Sequence, residues 1–145
     1  MAQIIVEDTQ LQSAIDALVT RMGDLRQPMA DIGEYMLLSA RDRFDGQKDP
    51  EGRSWTPLTP NYARRKAKSS RALKGILTYS GILRDTIAYR ADAVSVTVGS
   101  NRIYAPIQQL GGKTGRGGTI PPRPFLGVSA ADRTEIAAIV ADWLS

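Results

Sequence analysis

Between Tyr104 and Gly127 the chain reads YAPIQQLGGKTGRGGTIPPRPFLG, a stretch through which no long helix or sheet strand can run. Gly111, Gly112, Gly115, Gly117 and Gly118 leave the backbone a freedom that is costly to order. Pro121, Pro122 and Pro124 then fix φ and remove three amide donors, so the chain beyond the glycines is stiff yet unable to join a ladder. The segment is therefore read as an apolar anchor at Tyr104, a basic glycine loop, and a proline clamp ending in Pro124 and Phe125. Such a loop becomes ordered when another surface holds it, which is the pattern of an assembly surface.

The 145 residues, 42% of them hydrophobic, supply apolar material for one core, and residues 1–145 are read as a single domain. Cysteine and histidine are both absent, which excludes thiol nucleophiles, imidazole bases and the usual zinc ligand sets. Carboxylate pairs or a Ser/Lys dyad remain, but no spacing of Asp and Glu predicts a convergent site. Gly112-Lys113-Thr114 mimics the end of a phosphate-binding loop. Ile107 stands where that loop needs its first glycine, and Gly115-Arg116-Gly117-Gly118 cannot open a helix. No enzyme activity, cofactor, metal or small-molecule substrate is expected. The start, MAQIIVED, lacks a basic leader and no apolar run nears the ~20 residues of a membrane span, so a soluble protein of a reducing cytoplasm is expected, with no membrane contact.

The net charge of +4 is unevenly spread. Residues 1–40 carry six acidic and two basic side chains, whereas Asn61–Gly75 carries Arg64, Arg65, Lys66, Lys68, Arg71 and Lys74 and no acid. This asymmetry suits head-to-tail contact between acidic and basic faces of identical subunits, non-specific contact of segment 64–74 with DNA phosphates, or a plain solvated face. Nothing near the cluster has the framework of a helix-turn-helix or an aromatic stacking platform, so a nucleic-acid-binding module is the alternative reading.

Periodicity gives the elements. Gln3–Val6 is read as a short strand. Asp8 or Thr9 caps a helix with Leu11, Ile15, Leu18, Val19 and Met22 on one stripe. A second helix starts at Pro28, carries Met29, Ile32, Met36, Ala40 and Phe44 on one side, and ends at Asp45-Gly46. Trp55 lies in a proline-rich loop, where it either buries its ring to fix the loop or offers it to a partner. Thr59-Pro60 starts a short helix through Tyr62 and Ala67. Ile76–Thr78 is extended, and a brief helix covers Ile82–Thr86. Ile87–Ala91 and Val94–Gly99 form a hairpin about Asp92-Ala93. Ile103–Leu110 is a helix with Tyr104, Ile107 and Leu110 inward, and Ser129 opens a terminal helix bearing Ile136, Ile139, Val140, Trp143 and Leu144. The fold class is α+β: a small antiparallel sheet with a hairpin, packed against several helices, with long irregular loops.

Three stretches in order, GRSWTPLTPNYARRK (52–66), LTYSGILRDT (77–86) and the YAPIQQLGG…PPRPFLG segment (104–127), resemble the phage virion morphogenesis family of tail-completion proteins and their Mu-like relatives. The resemblance covers roughly residues 44–128. It departs at Gln108, where relatives often carry histidine. It implies a non-enzymatic virion protein acting in tail completion or head–tail joining as an oligomeric ring, in contact with other phage head or tail proteins and assembled in the bacterial cytoplasm. Candidate loop anchors or interface residues are Trp55, Leu58, Tyr62, Tyr104, Pro124 and Phe125. Arg64, Arg65, Lys68, Arg116 and Arg123 are the candidate electrostatic contacts.

Overall fold

The structure, a computed structural model, describes residues 8–57, 59–60, 64, 82–102, 104–113 and 117–145. The expected strand at Gln3–Val6, the extended Ile76–Thr78 and most of the helix after Pro60 lie outside these residues. Helix α1 (Thr9–Met22) starts where Asp8, extended at φ −142° and ψ 109°, accepts the Leu11 amide at 3.0 Å. It stops at Gly23, whose φ of 79° suits a residue without a side chain.

Helix α2 (Arg26–Gly46) is the spine of the molecule. It begins two residues before Pro28, because Asp24 accepts the Arg26 amide at 2.9 Å and proline is tolerated anywhere in a first turn whose amides have no helical acceptor. Its apolar stripe divides between two cores. Met29, Ile32 and Met36 pack with Leu18, Leu25, Ile136 and Val140, while Ala40 and Phe44 pack with Trp55, Leu83, Ile87, Ala105 and Phe125.

A four-residue helix, α3 (Ile82–Asp85), leads into a hairpin of β1 (Ala88–Ala91) and β2 (Val96–Gly99), with Ala88 opposite Gly99 and Ala91 opposite Val96. The strands are shorter than the alternation suggests because Asp92 builds the turn. Its carboxylate accepts the amides of Val94 and Ser95 and the Ser95 hydroxyl, which takes Val94 and Ser95 out of the ladder. The hairpin lies on α2 at Gly33, where an added Cβ would stand 2.5 Å from the Tyr89 ring and 2.9 Å from Val96.

Helix α4 (Ala105–Leu110) is followed by a second, minimal hairpin of β3 (Gly112–Lys113) and β4 (Thr119–Ile120). Gly112-Lys113 is thus strand. The terminal helix α5 (Ala130–Leu144) packs on α1 and α2, with Ile136 and Val140 buried. Among the described residues, helices with two small antiparallel two-stranded sheets make the fold α+β, the class expected from the sequence.

Candidate functional site

Residues 121–127 form the feature around which the two loops are organised. Their prolines cannot supply a ladder of amides, so the backbone groups that become buried here need side-chain partners. Gln109, buried on α4, gives the most complete answer. Its Oε1 accepts the amides of Phe125 at 3.0 Å and Leu126 at 2.9 Å, while its Nε2 donates to the Leu126 carbonyl at 2.9 Å. The Trp55 indole donates to the Pro124 carbonyl at 2.7 Å, and Arg43 Nη1 donates to the Phe125 carbonyl at 2.9 Å. Arg123 ties this segment to the upstream loop, its Nε reaching the Thr56 carbonyl at 2.8 Å and its Nη2 the Pro57 carbonyl at 3.2 Å. Beneath them the Phe44 ring meets Trp55 edge-on at 5.4 Å and Phe125 at 5.3 Å, an arrangement that adds attraction to apolar burial.

The second layer is ionic. Arg43 Nη2 donates to Asp132 Oδ2 at 2.5 Å with both side chains buried, and Asp132 Oδ1 accepts from the Tyr35 hydroxyl at 3.0 Å and the Ser39 hydroxyl at 2.8 Å. Asp132 also closes a capping box with Ser129 at the start of α5. Burial pushes the Asp132 carboxyl upward, but the Ser129 amide, the Ser39 and Tyr35 hydroxyls and Arg43 outweigh it and hold the group below its ordinary value. Tyr35 is pushed up to about 12, by burial first and then by its bond to this carboxylate. Burial lowers Arg43 from the usual arginine value, opposed by Asp132. The carboxylate joins α2 to the start of α5, and Arg43 carries the link on to the Phe125 carbonyl. Among the described residues no group of three or more acidic side chains is placed to hold a metal ion.

The comparison with known families decides the identity: the model of the phage virion morphogenesis family matches residues 6–145. The chain belongs to the phage virion morphogenesis family. A role in phage virion assembly follows from that membership. Among its relatives, the putative capsid assembly protein G of Escherichia phage Mu is 28% identical over 137 residues, covering 92% of this chain and 87% of that protein. Mu-like prophage FluMu G protein 2 of Haemophilus influenzae is 46% identical over 48 residues, 32% of this chain and 35% of that protein. An uncharacterized protein of Methanocaldococcus jannaschii is 32% identical over 75 residues, half of this chain and 53% of that protein. No solved structure matches the chain significantly. Among the described residues no helix is long and apolar enough to cross a membrane.

This virion morphogenesis protein places its candidate residues in three groups. Trp55, Arg123 and Phe125 are buried, and with Pro124 they form the junction of the two loops. Arg123, read from sequence as an electrostatic contact, turns its guanidinium onto two backbone carbonyls of its own chain. Tyr104 is 38% exposed and Leu110 71%, which corrects the inward placement expected for them. The buried side of α4 is set by Ala105 and Gln109, one turn apart, because a glutamine that satisfies three backbone groups outweighs a larger apolar residue at the next position. Arg64 is exposed, and Leu58, Tyr62, Arg65, Lys68 and Arg116 lie outside the described residues.

Gln109, Arg43 and Asp132 are absent from the sequence-based candidates. Local signals point to two of the three: Arg43 is a charged residue within the apolar stripe of α2, and Ser129-x-x-Asp132 has the spacing of a capping box, while Gln109 carries no such mark.

Proposed function

We propose that this chain is a non-enzymatic subunit of tail completion or head–tail joining, acting in the virion as an oligomeric ring in contact with other phage head or tail proteins. The observation that carries this reading is the way residues 121–127 are gripped by Trp55, Gln109 and Arg43 of the same subunit and tied through Arg123 to the carbonyls of Thr56 and Pro57. That grip makes a rigid mount, and directly on it stand the β3–β4 hairpin and the exposed Leu110. A subunit that fixes the base of a loop so firmly and leaves a large apolar side chain beside it in water is built to present that loop to another protein. The Mu relative's designation as a putative capsid assembly protein is in line with this.

The test is deletion of Gly112–Gly118 in the phage or prophage genome. The variant subunit is expected to fold with an unchanged circular dichroism spectrum and to accumulate normally, while infectious particles fail to form. Particles of normal titre from the deletion would refute the reading.

A further inference from the structure

Resting on the assembly reading, we infer that the outward stripe of α2 centred on Leu38 is the surface that receives the α4 end of a second copy of this chain. Leu38 is 52% exposed in the middle of a helix. Glu34 and Asp42 stand one turn before and one turn after it, on the same face, with about 12 Å of helix between them. Neither carboxylate forms an ion pair among the described residues. Arg41 flanks the stripe, but its Nε is buried. An apolar side chain between two acids that have no ion-pair partner among the described residues calls for an apolar residue flanked by bases.

The same polypeptide carries that complement elsewhere. Leu110, 71% exposed, and Tyr104 lie at the two ends of α4, with Arg102 just before the helix and Lys113 just after it. Both cations are exposed and without an ion-pair partner among the described residues. Arg102 stands three residues before α4 and Lys113 three residues after it, so the two bases bracket the helix that carries Leu110. Two complementary patches at different places on one chain make a heterologous contact, which repeats from copy to copy instead of closing on itself as a twofold dimer would.

Because the chain has no cysteine, engineered thiols report this contact without background. Full-length Leu38→Cys and Leu110→Cys proteins are mixed at high concentration and treated with a short bismaleimide. A mixed dimer bridged between positions 38 and 110 is expected, while either protein alone gives little. Glu34→Lys with Asp42→Lys in the first protein should lower the yield roughly tenfold, and Arg102→Glu with Lys113→Glu in the second should restore it. A yield no higher than that of the control mixture of Leu38→Cys with Val94→Cys would overturn the inference, as would cross-linking confined to like positions. Circular dichroism of each variant identifies one that fails to fold, and the single-thiol proteins with native charges still decide the question. If sedimentation shows oligomers without the 38–110 bridge, this surface is wrong while the assembly reading stands; the particle assay judges that reading separately.

Discussion

Gln109→Ala is the substitution that most sharply tests how the proline segment is held. It leaves the amides of Phe125 and Leu126 and the carbonyl of Leu126 without their partner, in a place where Phe125 is fully buried. Each orphaned buried group costs about 1–3 kcal/mol, and entry of a water would recover part of this, so a loss of about 3–5 kcal/mol is expected. For a chain of this length that corresponds to a fall in Tm of roughly 10 °C or more. Gln109→Met supplies the control, since it fills nearly the same volume and makes none of the hydrogen bonds. If the bonds matter, Met should lose almost as much as Ala; if volume matters, Met should be close to wild type. Urea titration followed by tryptophan fluorescence reads the difference, with buried Trp55 reporting on the junction itself. Both variants lying within about 1 kcal/mol of wild type would refute the reasoning.

Four further outcomes are expected. Gly33→Ala gains about 1 kcal/mol of helix propensity but drives a methyl into the Tyr89 ring and Val96, an overpacking of about 1–3 kcal/mol, so the urea midpoint should fall. Asp132→Asn strands the buried Arg43 and should cost about 3–5 kcal/mol, whereas adding Arg43→Met, which removes the unpaired charge while the introduced asparagine still accepts from Tyr35 and Ser39, should recover part of that loss in the same titration. Because the folded Asp132 value is depressed, its contribution is present above the unfolded value of about 4 and lost as pH falls through the lower folded value; Tyr35 has its value raised, so its contribution holds below about 10 and is lost as pH climbs to about 12. Stability measured against pH should therefore form a plateau with shoulders at both ends, and a midpoint already falling at pH 6 or 9 would contradict this. Trp55→Phe keeps the ring contact with Phe44 but removes the bond to Pro124, and should cost about 1–2 kcal/mol by thermal unfolding.

The features legible in the sequence are those that short-range physics determines. The α2 stripe from Met29 to Phe44 is buried throughout, Asp8 and Ser129 both cap the helices they precede, and the Val96–Gly99 strand pairs across the turn at Asp92. Trp55 and Phe125 stand out as anchors by their bulk among turn residues, and both are buried in one core. Their polar partners are not legible. Arg43 meets Asp132 across 89 positions and Gln109 meets Leu126 across 17, and neither bond leaves a periodic trace. Tyr104 and Leu110 are misplaced by the assumption that apolar character chooses the buried face of α4. On a helix of six residues the choice falls to the three backbone groups that Gln109 satisfies.

The most direct measurement is complementation in vitro. Particles are produced from a genome lacking this gene, purified chain is added, and infectious units are counted. The account predicts that wild-type protein restores infectivity and that the folded Gly112–Gly118 deletion does not. Normal infectivity of particles made without the chain, or equal rescue by the deletion, would contradict it.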